Sequence, residues 1–330
     1  MQIFHNPNYN FIKWRWHALI LSWIIIAAGI GVIATKGLAL GVEFSGGTIV
    51  VLEFEKTPSI DQIRGALDAE KVGGGGQNIV VQRYGAEAAN RVMVRVPHTG
   101  EEQGTGLTKT KDEVVKALTD AKIGKFTDVG TQVVGPVVGK ELTQKGIWAT
   151  VFSLAGLLIY IGFRFKLSFG VGAVVATFHD LLVTLAFLAF FQYDMSLNVI
   201  AALLTVTGYS TNDTIVIFDR VRENLKNSRR DSILETVNTA INQTLNRTIL
   251  TAGTTLLSAV SLFLFGGEVL KGFAFTMIVG VITGTYSSVF IAAAIVTFWR
   301  SKGAARVPAP VASNGDAARK KTNNRKNRVS

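Results

Sequence analysis

The chain has 330 residues, with 34 Lys or Arg against 23 Asp or Glu, giving a net charge of +11. Hydrophobic residues make up 48% and charged residues only 17%, below the roughly 25% of ordinary soluble domains, and the mean hydropathy is +0.33. This balance excludes a wholly water-soluble chain, and the absence of Cys excludes disulfides and thiolate metal sites.

Residues 1–17 are polar and aromatic and read as a cytoplasmic N-terminus. Ala18 to Ala34 (ALILSWIIIAAGIGVIA) is apolar and long enough to span, so a first transmembrane helix is expected over 18–35. Trp14, Trp16 and Trp23 suit a membrane interface. A cleaved signal peptide fits less well, because no small-x-small site follows and further spans come later.

Residues 36–145 differ in character. They hold 14 Lys/Arg and 14 Asp/Glu, the balance of a water-soluble domain. Thr48 to Glu55 alternates like a strand. Ser59 to Glu70 carries Ile60, Ile63 and Leu67 on one helical face. Strands are expected at Asn78 to Tyr84 and Arg91 to Val96 around a polar turn at Gly85. A helix over Lys109 to Lys122 and a strand over Phe126 to Val134 complete a β-α-β-β-α-β order, that of a ferredoxin-like α+β domain. Gly73 to Gly76 reads as a flexible linker. Gly135 to Lys140 (GPVVGK) has the wrong spacing for a P-loop, and Glu141 stands where Ser or Thr is needed. No nucleotide site is expected, so any work must draw energy from elsewhere.

Residues 146–299 read as five more spans: Ile147 to Phe163, Phe169 to Phe191, Leu197 to Phe218, Thr248 to Gly266 and Phe273 to Trp299. The whole is an α-helical membrane protein with six transmembrane helices and one external domain. The loop from Asp219 to Arg247 carries six Lys/Arg, and the one from Gln192 to Ser196 carries none. The positive-inside bias puts both termini in the cytoplasm and the domain outside. The tail, residues 300–330, holds nine Lys/Arg and one Asp. Directly after an apolar segment, it reads as an anchor to membrane lipids. No nucleic-acid motif accompanies the charge, so no nucleic-acid partner is expected.

Ionisable groups inside a membrane are expensive and mark function. Asp213 lies within the fourth span, and His179 with Asp180 within the third. Adjacent residues on a helix point about 100° apart, so His179 and Asp180 are expected on different faces, one lining a path and the other pairing with a neighbouring helix. Thr205, Tyr209 and Asn212 share a helical face beside Asp213 and are expected to support it or to glue helices together. Arg247 opens the fifth span, either paired with a membrane carboxylate or as a plain cytoplasmic anchor. Gly280, Gly284, Ser288 and Ala292 recur every four residues, a stripe suited to close contact within the bundle or against another subunit. Four His without ligand spacing give no metal site.

These motifs carry a resemblance. GVEFSGGT (Gly41 to Thr48), VGPVVGKEL (Val134 to Leu142), FRFK (Phe163 to Lys166), FHD (Phe178 to Asp180), GYSTNDTIVIFDRVREN (Gly208 to Asn224) and LNRTILTAGTT (Leu245 to Thr255) resemble the SecF family. Its members are the smaller membrane subunits of the SecD–SecF complex of bacterial protein export. The resemblance implies half of an RND-type transporter in the inner membrane, paired with SecD. It implies action on unfolded preproteins emerging from the SecYEG channel, with YajC as a further partner. It also implies the proton gradient as energy source, no cofactor and no enzymatic activity. The family's membrane Asp maps to Asp213, its Arg to Arg247 and its HD pair to His179 and Asp180. Sodium coupling, a small-molecule or lipid transporter of the RND class, and a non-conducting assembly scaffold are the competing readings.

Overall fold

A short strip of backbone, residues 39–47, ties two structural units together in the computed structural model. The model describes residues 7–56, 58–74, 79–84, 90–97, 105–164, 167–227 and 232–304. The basic tail beyond 304, the turn at Gly85, Gly75, Gly76 and Lys166 lie outside the described residues.

The first unit is built from β1 (Gly47–Phe54), α3 (Ile60–Ala69), β2 (Val80–Arg83), β3 (Arg91–Val96), α4 (Thr105–Asp120) and β4 (Phe126–Val134). The strands form one antiparallel sheet in the order β2-β3-β1-β4. Alternation in β1 sends Thr48, Val50, Leu52 and Phe54 to the buried face. Helix α3 starts at Ser59, which with Gln62 forms a complete capping box. It buries Ile63, Ala66 and Leu67 against the sheet, and α4 adds Val114, Ala117 and Leu118. Each fully buried Leu, Ile or Val contributes about 1.5–3 kcal/mol, enough to hold a domain of this size.

The other sheet face looks toward the helices. Ile49, Gln82, Met93, Arg95 and Gln132 line a cleft of about 330 Å³ with Tyr193, Asp194, Asn198 and Lys271. Arg95 crosses it, with Nη2 3.0 Å from Asp194 Oδ1 and Nη1 donating to the Leu40 carbonyl at 2.8 Å. Beside it, Gly41 N–H donates to Met195 O and Met195 N–H to Ala39 O, both at 2.7 Å. A Cβ on Gly41 would lie 2.7 Å from Met195 O, so glycine is required by the approach itself. Helix α2 (Val42–Ser45) continues the strip and rests on α5, where a Cβ on Gly139 would come within 3.0 Å of Phe44 O.

The second unit is helical: α1 (Arg15–Lys36), α5 (Pro136–Arg164), α6 (Leu167–Phe190), α7 (Leu197–Asn227), α8 (Ile233–Phe265), α9 (Glu268–Ser287), a π turn (Ser288–Ala292) and α10 (Ala293–Ala304). Five of the long segments are apolar enough to cross a membrane by length and composition. Helix α7 falls short because it carries so many polar residues. Two helices begin well before the spans expected from hydrophobicity. Helix α5 opens at Pro136, a residue type favoured in the first turn. Helix α8 opens at Ser232, whose capping box with Glu235 starts a polar, amphipathic extension. On that extension Asn238 and Asn242, one turn apart, bond the backbone of Tyr9 and Phe11.

Helix α9 is the hub, packed on α6, α7 and α8. The small-residue stripe makes this possible, and its partner is α7 of the same chain. A Cβ on Gly280 would lie 2.3 Å from Val206 Cγ2, and one on Gly284 2.9 Å from Ser210 Cβ. Gly29 plays the same part between α1 and α6, facing Ala186. Overpacking typically destabilises by about 1–3 kcal/mol. Gly284→Leu should therefore lower the thermal unfolding temperature in mild detergent and reduce recovered protein. An unchanged melting curve would show that α7 and α9 are not in close contact.

Candidate functional site

Two carboxylates are buried where α6, α7, α8 and the α9 π turn meet. Asp180 on α6 is 1% exposed and Asp213 on α7 8%. Buried charge must be met by hydrogen bonds or neutralised, and every carboxylate oxygen here has a partner. Asp180 Oδ2 accepts from Ser210 on α7 and from Ser287 on α9, the latter at 2.8 Å. Its Oδ1 lies 3.0 Å from His179 Nδ1. Asp213 Oδ1 accepts from Thr248 on α8 at 2.7 Å, and Oδ2 from Ser288 at 2.9 Å. Thr177 and Thr211 add a buried hydroxyl contact at 3.3 Å between α6 and α7.

Three points of the arrangement bear on the sequence expectation, the first two departing from it and the third choosing between two readings it left open. First, His179 and Asp180 do meet. Their Cβ atoms leave the helix about 100° apart, but both side chains reach far enough to lean together and close a hydrogen bond. Second, Thr205 and Asn212 are exposed on α7, and Tyr209 packs beside Val206, Ala259 and Met277. The inward polar face of α7 is instead Thr207, Ser210, Thr211, Asp213 and Thr214. Third, Arg247 is exposed and makes no ion pair with Asp213. Its charge reaches Asp213 only at longer range, and its neighbour Thr248 supplies the direct contact.

Sequence reasoning passed over Ser210, Ser287 and Thr248 and gave Ser288 a packing role alone. A signal for Ser210 existed, since Thr207, Ser210, Thr211 and Thr214 repeat at helical spacing. Ser287 and Ser288 carried no such signal. Adjacent on a regular helix they would diverge by about 100°, and here they serve two carboxylates on two helices at the start of the π turn. Single π turns often occur at functional sites.

Four helices thus converge on a buried, fully bonded pair of acids. Groups of this kind can take up or release protons without metal or cofactor, and no cluster of three metal-ligating side chains occurs among the described residues. Thr248→Val removes one donor to a buried oxygen, a loss of about 1–3 kcal/mol. It should melt at lower temperature than the wild type in detergent, with Thr248→Ser restoring most of the loss. Equal stability of the valine variant would mean that Thr248 does not bond Asp213.

Known proteins place this architecture. Residues 113–302 match the family described as protein export membrane protein SecD/SecF, C-terminal, and residues 31–58 match the SecD/SecF GG motif. The chain is 40% identical to the protein translocase subunit SecF of Desulfurispirillum indicum, over 88% of this chain and 92% of that one. It is 37% identical to SecF of Escherichia coli O157:H7, over 87% and 86%. The crystal structure of SecDF from Thermus, a translocon-associated membrane protein, superposes with a TM-score of 0.79 at 32% identity. That match covers 90% of this chain but only 39% of SecDF, and a second SecDF crystal structure gives 0.68 over 93% and 40%. Near 40% identity over most of both chains, with both motifs in place, the chain belongs to the SecF branch of the SecD/SecF family of protein export membrane proteins.

Proposed function

We propose that this protein is a subunit of the Sec accessory complex that uses the proton-motive force to assist export of unfolded preproteins across the bacterial inner membrane, after they enter the channel. The observation that carries the reading is the pair of buried, hydroxyl-bonded acids Asp180 and Asp213 on adjacent membrane helices. A buried carboxylate can exist charged or neutral. In a field worth about 2.3 kcal/mol per charge per 100 mV, that choice can drive movement. Asp213 is the proton carrier in this reading, Arg247 the charge that tunes it, and His179 with Asp180 further stations of the pathway.

The bundle is read as six spans, half of an RND-type transporter, with α7 as the span that polarity hides. The α+β unit, by its element and strand order, is read as a ferredoxin-like domain outside the cytoplasm that handles the emerging chain. Thr205, Asn212 and Arg247 stand exposed on α7 and α8. Polar groups facing lipid are costly, so a second subunit of the same plan, SecD, is the natural cover. The SecYEG channel and YajC complete the assembly, and no cofactor is invoked.

Two experiments test this reading. For topology, the Cys-free chain accepts single cysteines. Asp61→Cys on α3 should react with a membrane-impermeant maleimide in intact spheroplasts, and Lys226→Cys only after lysis. The reverse pattern would invert the protein. For coupling, Asp213→Asn keeps shape and abolishes titration. It should assemble normally with SecD yet lose most of the stimulation of preprotein export by an imposed proton gradient, with Arg247→Met acting in the same direction. Full stimulation in Asp213→Asn membranes would favour a scaffold.

A further inference from the structure

The π turn that follows α9 opens at the point where two serines meet two acids. It opens at Ser288 directly after Ser287, and the two hydroxyls reach different helices, α6 through Asp180 and α7 through Asp213. Each hydroxyl carries one hydrogen and has two acceptors within reach. Ser287 lies 2.8 Å from Asp180 Oδ2 and 3.2 Å from Gly284 O. Ser288 lies 2.9 Å from Asp213 Oδ2 and 2.9 Å from Thr285 O. An ionised carboxylate takes the hydrogen for itself. A protonated one donates to the serine oxygen and sends the hydroxyl hydrogen back to its own helix. Each serine therefore reads the protonation of one acid, and both readings fall on one turn of backbone.

A second observation points to proton exchange here. Among the described residues, His179 Nε2 is buried without a hydrogen-bond partner, while Nδ1 bonds Asp180. The histidine is 9% exposed and stacks on Tyr286, at 6.5 Å between ring centroids. With Nδ1 donating to Asp180, Nε2 is an acceptor on the far side of the imidazole from that acid. A buried polar atom without a partner is rare and marks a position where the cluster can exchange hydrogen bonds.

We propose that Ser287 and Ser288 are positioning residues that join Asp180–His179 and Asp213 into a single coupled proton-binding unit, with the π turn setting both hydroxyls. The two acids then titrate as a pair: protonating one reverses the hydrogen bond to its serine, turns that hydroxyl back to its own helix and, through the shared turn, changes the donor offered to the other. No covalent bond to carbon forms or breaks; only protons change place. Around the pair, the titratable or charged groups are His179 on α6, Tyr286 on α9 and Arg247 on α8. Helix α1 contributes Ser22, which reaches Tyr286 at 3.4 Å, and the Ala18 carbonyl, to which Tyr286 donates. Among the described residues, the charged side chains that act on the two carboxylates are His179 and Arg247. The inference deepens the proton-coupling reading and rests on it for its purpose, but its test does not depend on export.

The test is infrared titration of the full chain, copurified with SecD and held in lipid nanodiscs. The band lost in Asp180→Asn identifies the Asp180 acid. Its titration midpoint is then measured with and without Asp213→Asn, in two backgrounds: wild type, and Ser287→Ala/Ser288→Ala. Sites that couple shift each other by about tenfold or more in proton concentration. Asp213→Asn should move the Asp180 midpoint by about that factor in the wild type and by less than threefold in the double-alanine background. Serine to alanine removes one atom and adds none, so that background should remain folded. Should it not, Ser288→Thr, which keeps the hydroxyl, is measured in its place and must preserve the shift. An Asp180 midpoint indifferent to Asp213→Asn in the wild type, or equally responsive without the serines, overturns the proposal. Loss of export in Asp213→Asn together with either result would leave the proton reading standing and remove only the coupling.

Discussion

The fold is organised around the need to keep two carboxylates inside a low-dielectric bundle. A charge near the membrane centre costs about 2.5–3.5 kcal/mol even by the mildest scales. Four hydroxyls and one imidazole offset that cost, and they come from α6, α7, α8 and α9. For those side chains to arrive together the helices must approach closely. Hence Gly280 and Gly284 let α9 settle on Val206 and Ser210 of α7, and Gly29 lets α1 settle on Ala186 of α6. Packing and polar bonding are one requirement, since Ser210 is both the residue Gly284 touches and a donor to Asp180.

The α+β unit is fastened to these helices at a few points among the described residues. Arg95 binds Asp194, and the strip from Ala39 to Gly41 pairs with Met195, both partners lying in the connection between α6 and α7. Those are the helices that carry Asp180 and Asp213. A rearrangement between α6 and α7 therefore has a short mechanical path to the sheet of the α+β unit, through one ion pair and two backbone hydrogen bonds. The same strip rests on α5 at Gly139, so the fifth helix is tied to the same joint.

Much of this was readable from residues alone, and the exceptions have physical causes. Strands β3 and β4 match their expected limits because alternation and flanking turn residues define them sharply. Helix limits in the bundle were read too short, because hydrophobicity marks the lipid-facing stretch and not the capped polar extensions of α5 and α8. Asp213 stood out as a lone carboxylate, yet the face chosen to support it, through Thr205 and Asn212, is the exposed one. Counting polar residues cannot tell an inward stripe from one awaiting a partner; only the neighbouring helix decides. The π turn was invisible because no residue type specifies it, and with it went the roles of Ser287 and Ser288. The bond between His179 and Asp180 was missed for a simpler reason, that helical geometry fixes Cβ directions but not where long side chains end.

The central claim of the proposed function is that protonation at these buried acids moves the α+β unit. The most direct measurement is a spin–spin distance between Asp61→Cys on α3 and Val269→Cys at the start of α9, both exposed. It is made in proteoliposomes holding the complex with SecD. Imposing a proton gradient should shift the distance distribution in the wild type and leave it unchanged in Asp213→Asn. The same shift in both, or no shift in the wild type, would contradict the account.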